Sequence, residues 1–274
     1  MIPRPLITYQ EVRDSPLLPL TWDVEPLVSR GDRVVIFGEF ASMKSWIVIH
    51  LALHLGSGQA WLGLPVPESR RVLYVDEEMN ERTLRRRVKR LGEGAGVEVA
   101  PGLTFLSRAG VRFDAYGAQT LLAHLGAYKP QVVIVEALRR VLIGDENEAR
   151  DMAQFWRNLE PISRQGITLV ITHHMNKPPA QGKRAARYRA SGSTDILAGS
   201  DASFAVERVG KDTAKLTGIK SRDDVELQPF LVRLDDAGDR TGPVTLTPGV
   251  PEAPQAPREP LTPEEREDVF RRPV

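Results

Sequence analysis

Apolar runs alternate with longer amphipathic stretches from residue 31 onward. The apolar runs lie at 33–37, 71–75, 103–106, 132–135 and 168–172. The amphipathic stretches lie at about 45–55, 80–91, 115–127 and 148–164. Near-continuous apolar strands separated by helices are typical of a parallel sheet that is covered on both faces. The pattern therefore predicts an α/β fold with a mainly parallel central sheet flanked by helices.

The pattern changes at both ends of the chain. Shorter runs at 202–208, 213–221 and 227–234 are joined by turns, which predicts an antiparallel C-terminal extension of the sheet. Residues 1–30 are rich in proline and are interpreted as an arm that packs onto the domain that follows. Repeated prolines from residue 247 to 263 indicate an extended linker before a short terminal helix that begins at Thr262. We therefore divide the chain into an arm (1–30), a main domain (31–246) and a linker with a helix (247–274).

Composition excludes several classes of function. Lys and Arg total 37 against 36 for Asp and Glu, so no field of the whole molecule attracts a polyanion and any nucleic-acid site must be local. The absence of cysteine excludes disulfides, thiolate metal sites and cysteine nucleophiles. No signal pattern opens the chain, and no stretch approaches the roughly 20 apolar residues that span a bilayer. We expect a soluble cytoplasmic protein without membrane contacts.

The first strand leads into a loop with the features of a phosphate-binding site. Backbone N–H groups of such a loop surround phosphates at a helix N-terminus, while a lysine reaches the β and γ oxygens and a hydroxyl binds Mg²⁺. Lys44 and Ser45 fit those two roles, which predicts ATP and Mg²⁺ as cofactors. The predicted nucleotide-binding residues are Gly38, Glu39, Phe40, Ala41, Ser42, Met43, Lys44, Ser45 and Trp46.

Met43 stands where such loops usually have glycine. If this residue needs a positive φ, methionine costs on the order of 1–2 kcal/mol, which is tolerable. The alternative is a turn between strand and helix that is followed by Lys-Ser by chance. The order of strand, loop, Lys-Ser pair and helix argues against that alternative.

Two acidic positions at strand ends complete the predicted site. Glu78 follows the run that ends at Asp76, and Glu136 ends the run at 132–135. Since the carboxyl ends of parallel strands share one edge of the sheet, both acids are expected beside the loop. We interpret Glu78 as the catalytic base. Glu136 and Ser45 are interpreted as the residues that bind Mg²⁺. The alternative is that these acids cap helices.

The order of these motifs resembles the plasmid RepA-type hexameric helicases of the RecA/DnaB superfamily. The resemblance covers residues 20 to 235 and rests on Gly38–Ser45, Asp76–Met79, Glu136–Arg140 with Gly144–Asn147, and Thr172–His174. It implies a RecA-like ATPase domain, a hexameric ring with ATP between subunits, and movement along single-stranded DNA during plasmid replication. Met43 and Glu136 depart from the family pattern, and these departures concern the rate of hydrolysis more than the fold.

The resemblance also implies a sensor of the γ-phosphate at the end of the strand 168–172. His173 and His174 follow that strand. We favour His174 because it leads directly into the next loop. A histidine that only caps backbone groups is the alternative.

The loop after the histidines predicts a site for single-stranded nucleic acid. Cations that track the backbone, interrupted by a stacking ring, are typical of such sites. In a RecA-like ring this loop, residues 175–193, faces the central channel. The alternative is a solvated surface loop. The predicted contacts are Lys177, Lys183, Arg184, Arg187, Tyr188 and Arg189.

Two further cations lie late in the chain. Lys220 and Arg222 have the i, i+2 spacing that places two side chains on one face of a strand. In RecA/DnaB-type rings such a pair reaches the ATP of the neighbouring subunit. The alternative is an ordinary basic strand end. The basic stretch from Arg82 to Arg90 is interpreted as the charged outer face of a helix.

Three functions are compatible with this sequence. The first is an ATP-dependent helicase ring whose C-terminal tail recruits a primase or polymerase. The second is an ATP-gated DNA-binding recombination mediator or regulatory module that hydrolyses ATP weakly. The third is a monomeric P-loop enzyme that phosphorylates a small substrate, with the basic loop as a lid.

Overall fold

A nine-stranded sheet forms the centre of the protein. The computed structural model describes residues 6–17, 19–114, 121, 123, 126–174, 195–225, 227–236, 238 and 241–249. The strands are β1 (Trp22–Val24), β2 (Val28–Ser29), β3 (Arg33–Gly38), β4 (Val72–Asp76), β5 (Leu103–Ser107), β6 (Val132–Glu136), β7 (Thr168–His174), β8 (Ala202–Arg208), β9 (Thr213–Ser221), β10 (Phe230–Asp236) and β11 (Val244–Gly249). The helices are α1 (Tyr9–Asp14), α2 (Lys44–Ser57), α3 (Glu81–Ala95), α4 (Leu138–Val141), α5 (Ala149–Ser163) and α6 (Asp195–Ala198). Of the predicted helix at 115–127, residues 121, 123, 126 and 127 are described and are helical.

The strand order is β11-β10-β9-β8-β3-β7-β6-β4-β5. The strands from β8 to β5 in that order pair in parallel, and β9, β10 and β11 pair antiparallel. The prediction of a mainly parallel sheet with an antiparallel C-terminal extension is confirmed. Because β3 lies between β7 and β8, the loop after β3 sits in the middle of the sheet edge.

The central strands are apolar on both faces because helices cover both sides. Every residue of β4 and β6 is buried. Successive β3 residues alternate between two cores, with Val34 and Ile36 facing the side of α2 and Val35 and Phe37 facing the side of α5. Such burial from both sides explains why the strand sequences are continuous rather than alternating in polarity. The sheet is therefore a rigid support for the loops at its carboxyl edge.

Helix α3 does not present a uniformly charged outer face. Arg90 is 5% exposed, and its guanidinium bonds Asp236 at 2.6 Å and the Gly242 carbonyl at 2.6 Å. Arg87 lies on the inner side as well, with its guanidinium 4.9 Å from the centroid of the Trp46 ring. Long basic side chains can extend over apolar surface while their charged ends find partners. The interpretation of 82–90 as an outer face is therefore wrong for these two arginines.

Among the described residues of the N-terminal arm, only those from residue 22 onward pack onto the domain. Val24, Leu27 and Val28 of the β1–β2 hairpin are buried in the core. The described residues between 6 and 21 are all exposed, and α1 buries no residue. The expectation that the arm packs onto the domain is therefore wrong for residues 6–17 and 19–21.

The C-terminal region is described as far as residue 249. Strand β11 includes residues 247–249, which the sequence assigned to the extended linker. The rest of that linker and the predicted helix from Thr262 lie outside the described residues. Within the part of the chain that the structure describes, no helix is both long and apolar enough to cross a membrane.

Candidate functional site

The loop between β3 and α2 has the backbone shape that phosphate binding requires. A Cβ on Gly38 would lie 2.6 Å from the Val206 carbonyl oxygen, so only glycine fits where the loop leaves β3. Ala41 and Met43 have φ values of 59° and 72°, in the left-handed region. Met43 is the N-cap of α2 and its side chain makes no capping hydrogen bond. The first N–H groups of α2 therefore lack a side-chain acceptor at the cap, as an anion site at a helix N-terminus requires.

Met43 has the positive φ that was expected to be costly. A left-handed conformation costs a residue with a Cβ about 1–2 kcal/mol. The side chain is only 8% exposed and belongs to the core on the α2 side, and burying a methionine stabilises a protein by about 1.5–3 kcal/mol. Burial of the side chain thus offsets the strain of the backbone.

Lys44 and Ser45 lie at the start of α2 beside Glu136. Lys44 is 7% exposed, and burial lowers its pKa while the carboxylates of Glu136 and Glu78 oppose that shift. The Ser45 hydroxyl donates a hydrogen bond to one oxygen of Glu136, and the Tyr74 hydroxyl donates to the other. Glu136 is 1% exposed, and burial raises its pKa although both hydrogen bonds act to lower it. Each buried carboxylate oxygen therefore has a donor.

Ser45 and Glu136 fit the donor set for Mg²⁺ beside a triphosphate. Mg²⁺ keeps several waters and is usually bound by one or two protein oxygens together with substrate phosphates. The direct contact of Glu136 with the Ser45 hydroxyl places a carboxylate and a hydroxyl on one side of the loop. Among the described residues no group of three or more His, Asp or Glu side chains forms a metal site. Such a group is not needed where phosphates supply the other ligands.

The acidic run after β4 divides into two structural carboxylates and one that faces the loop. One oxygen of Asp76 accepts the backbone N–H groups of Glu78 and Met79, both at 2.9 Å. The carboxylate of Glu77 accepts the Val111 N–H at 3.0 Å. Glu78 lines the cavity that contains Lys44. Of the three acids, Glu78 is therefore the one that lies in the same cavity as Lys44.

Residues 40–46 and Glu78 line one cavity of about 360 Å³, which is within the range of ligand pockets. The cavity lies at the carboxyl edge of the parallel strands. Phe40, which belongs to its lining, is 84% exposed. The lining consists of Phe40, Ala41, Ser42, Met43, Lys44, Ser45, Trp46, Glu78, Met79, Arg87, His174, Arg208, Lys211, Asp212 and Leu234.

Of the two histidines, His174 lines this cavity. It is the register partner of Gly38, at the start of the loop. Burial lowers the pKa of His174, and the positive charge of Lys44 adds to the shift. His173 is 1% exposed and pairs with Phe37 inside the sheet. The structure thus places His174, and not His173, next to the loop.

Lys220 and Arg222 lie at the opposite edge of the sheet. The Lys220 ammonium donates to the carbonyls of Leu197, Ala198 and Ser200 at 2.8, 3.1 and 2.6 Å. Arg222 bonds Asp201 at 2.7 Å and the Ala198 carbonyl at 3.1 Å. Arg222 lies just beyond the end of β9, and both cations bond the Ala198 carbonyl. They are separated from the loop of their own chain by the length of β3, roughly 20 Å for six residues. Neither cation takes part in the site of its own chain.

A second cavity of about 470 Å³ lies between Trp22 and Phe204. Of the predicted site residues it contains only Lys220. The predicted nucleic-acid residues Lys177, Lys183, Arg184, Arg187, Tyr188 and Arg189 lie outside the described residues.

Two arginines that line the cavity were not predicted as site residues from the sequence. Arg87 stacks on Trp46, and its Nη1 lies 3.3 Å from the Met79 sulfur. A signal was present, because Arg87 has helical spacing with the buried Leu84 and Leu91. Arg208 ends β8, and its Nη1 donates to the Ala41 carbonyl at 3.1 Å. No local pattern marks that contact, since the two residues are 167 positions apart.

Comparisons with known proteins identify the fold and the family. A KaiC-like protein from the archaeon Pyrococcus horikoshii has a TM-score of 0.55 at 12% identity, covering 83% of this chain and 94% of that chain. The flagellar accessory protein FlaH from Methanocaldococcus jannaschii has a TM-score of 0.51 at 13% identity, covering 81% of this chain and 90% of that chain. The RadB recombinase has a TM-score of 0.53 at 13% identity, covering 79% of this chain and 90% of that chain.

At these identities the structural likeness shows the RecA-like fold alone. No curated protein matches the chain by sequence. The family model described as an AAA domain matches residues 7–180, which is more than half of the chain. The chain therefore belongs to the AAA domain family of P-loop ATPases.

Proposed function

We propose that the protein is an ATP-dependent motor that forms a ring on single-stranded DNA, a replicative helicase of plasmid or mobile-element type. The observation that carries this proposal is the convergence of Lys44, Ser45, Glu78 and His174 on one cavity, with Glu136 bonded to Ser45. These residues come from three strand ends and one helix N-terminus. Their grouping supplies the parts that phosphoryl transfer to water needs.

In this proposal each residue has one role in hydrolysis. The loop N–H groups and Lys44 bind the β- and γ-phosphates of ATP. Ser45 and Glu136 hold Mg²⁺, which would neutralise charge on the phosphate oxygens. Glu78 orients a water molecule and takes its proton as the water oxygen attacks the γ-phosphorus and the bond to ADP breaks. His174 detects the γ-phosphate and transmits its loss to the loop 175–193.

The proposed motor also needs a neighbouring subunit. Lys220 and Arg222 would contact the ATP of the next protomer in a hexameric ring. Both cations lie far from the cavity of their own chain, and the Arg222 side chain is 50% exposed. This position is compatible with contact to the ATP of a neighbouring subunit. In a ring they would have to exchange at least one of their present partners for phosphate oxygens. A closed ring with one repeated interface is the usual result of such head-to-tail contacts.

Nucleic acid and replication partners complete the proposal. Lys177, Lys183, Arg184, Arg187, Tyr188 and Arg189 would track single-stranded DNA inside the ring. If two to four of these cations meet phosphates, log K falls with log salt at a slope of roughly −1.4 to −2.8 for each engaged subunit. The C-terminal tail from residue 250 onward would recruit a primase or polymerase.

Steady-state ATP hydrolysis with and without a single-stranded oligonucleotide tests the proposal. We expect stimulation by the oligonucleotide, and loss of activity in Lys44→Ala and Arg222→Ala. Arg233→Ala is a matched control, because Arg233 is exposed and its guanidinium bonds an aspartate, Asp235, at 3.0 Å. Mixing Lys44→Ala with Arg222→Ala protein should restore part of the activity if the two residues act across an interface. A monomer that hydrolyses ATP without regard to DNA or to Arg222 would refute the motor.

A second function is favoured by the surroundings of Glu136. Both of its oxygens are occupied by hydroxyl donors, and burial raises its pKa. A carboxylate held in this way exchanges ligands reluctantly, so the second proposal is an ATP-gated DNA-binding mediator or regulatory module with weak hydrolysis. ATP binding that changes DNA affinity, with negligible turnover, would support this function over the helicase.

A further inference from the structure

Arg208 connects the phosphate loop to the turn between β8 and β9. Its Nη1 donates to the Ala41 carbonyl at 3.1 Å, and its Nε donates to the Gly210 carbonyl at 3.0 Å. Its Nη2 donates to the Lys211 carbonyl. One guanidinium thus holds a carbonyl of the loop and two carbonyls of a turn that also lines the cavity. A planar guanidinium with several fixed N–H groups is suited to bridging backbone segments in this way.

The carbonyl that Arg208 holds belongs to a strained part of the loop. Ala41 has φ 59° and Met43 has φ 72°, two left-handed residues that carry a Cβ within three positions. Each such residue is disfavoured by about 1–2 kcal/mol, so the free loop has a tendency to relax to other conformations. Met43 is fixed by burial of its side chain in the core. Ala41 has only a methyl group and is exposed, so its conformation needs support from outside the loop.

We propose that Arg208 is a positioning residue that holds Ala41 in the left-handed conformation and so keeps the loop N–H groups aimed at bound phosphate. This inference rests on the proposed ATP site, and it adds a residue of the cavity wall that acts through the loop. Other phosphate-binding loops have glycine where this shape is needed. In this chain an arginine 167 positions away in the sequence, on the strand next to β3, supports the shape. The same contact couples the loop to the β8–β9 turn, which carries Lys211 at the cavity wall.

The first test is nucleotide affinity, measured with a fluorescent ATP analogue and Mg²⁺. Arg208→Ala should raise Kd by about tenfold, because a charge-assisted hydrogen bond and its partners are lost. The Kd of Arg208→Lys should lie between those of the wild type and Arg208→Ala, since an ammonium cannot hold three carbonyls in the same geometry. In the Arg208→Ala background, Ala41→Gly should recover at least about threefold in affinity, because glycine adopts φ 59° without strain. In the presence of Arg208, Ala41→Gly should gain less affinity than it recovers in the Arg208→Ala background, because Arg208 already holds the conformation.

Arg71→Ala is the matched control. Arg71 is exposed and donates to the Lys129 carbonyl at 2.7 Å, at the other end of the sheet. Loss of a comparable arginine-carbonyl bond there should leave Kd unchanged. A tenfold effect in this variant as well would mean that general destabilisation, and not loop positioning, weakens binding.

Hydrogen exchange of the nucleotide-free protein is the second test. The Ser42 N–H donates to the Glu39 carbonyl at 3.2 Å inside the loop, so its exchange reports the loop conformation directly. We expect this amide to exchange at least about tenfold faster in Arg208→Ala, with exchange in β3 unchanged. Wild-type exchange together with wild-type Kd in Arg208→Ala would overturn the inference. If the wild-type chain binds no nucleotide at all, the proposed function fails, and the Ser42 exchange alone decides on Arg208.

Discussion

Acid should destabilise the protein through a histidine pair in the helix that carries Lys44. His50 and His54 are 3% and 7% exposed, and their Nε2 atoms are 3.1 Å apart. Burial, followed by the charge that His54 would carry, lowers the pKa of His50 from 6.5 to about 3. Burial lowers the pKa of His54 as well. The folded protein thus keeps the pair neutral at pH values where the unfolded chain protonates both rings.

The sign and size of this change in unfolding free energy follow from proton binding. A group with a lowered pKa in the folded state stabilises the fold above its unfolded pKa, and this contribution is lost as pH falls from 6.5 toward 3. At pH 5 the unfolded chain gains about 2 kcal/mol from protonating one histidine with a pKa of about 6.5. Replacing His50 with glutamine keeps a hydrogen-bonding group beside His54 and removes this titration.

Urea unfolding at pH 7.5 and at pH 5.0 measures the effect. Between these two pH values the wild type should lose at least about 2 kcal/mol more of unfolding free energy than His50→Gln. Other titrating groups, such as Asp32, are common to both proteins and cancel in the difference. Equal losses in the two proteins would refute the assignment of a neutral buried pair.

Three further predictions concern single residues. Burial and three neighbouring aspartates, Asp201, Asp223 and Asp23, raise the pKa of Asp32 to about 7, so the folded state is stabilised by the proton and loses that stability as pH rises. Asp32→Asn should therefore gain about 2–4 kcal/mol of unfolding free energy at pH 8 and almost nothing at pH 4, measured by chemical denaturation. Tyr74→Phe should cost about 1–3 kcal/mol in thermal unfolding, because a buried oxygen of Glu136 loses its donor. Arg87→Leu should keep the packing on Trp46 but weaken ATP analogue binding by about tenfold, because a cation is removed from the cavity.

Each of these predictions has a clear contrary result. A stability gain in Asp32→Asn that is the same at both pH values would mean that the proton is not involved. A Tyr74→Phe protein as stable as the wild type would mean that Glu136 does not depend on that hydroxyl. Unchanged nucleotide affinity in Arg87→Leu, with Trp46 fluorescence as a check on folding, would place Arg87 outside the binding function.

Local sequence determined the elements and the loop of this protein. The apolar runs predict the parallel strands correctly because both faces of the central strands are buried, and the shift to shorter runs after residue 200 predicts the antiparallel extension. The phosphate-binding loop can be predicted from the sequence because phosphate binding needs a strand, a tight turn, Lys44, Ser45 and a helix within one short segment. That acids at strand ends lie near this loop can also be predicted, since the carboxyl ends of parallel strands meet at one edge of the sheet.

Tertiary structure alone decided which of the candidate side chains meet. Ser45 and Glu136 are 91 positions apart, and they touch because the order of the strands brings β6 near the start of α2. The same order places His174 beside the loop, turns Arg87 inward and brings Arg208 to Ala41. Sequence patterns encode which face of an element is apolar, but contacts between distant elements depend on strand order and register. For that reason the sequence determined the kind of site in this protein, and the fold determined which residues form it.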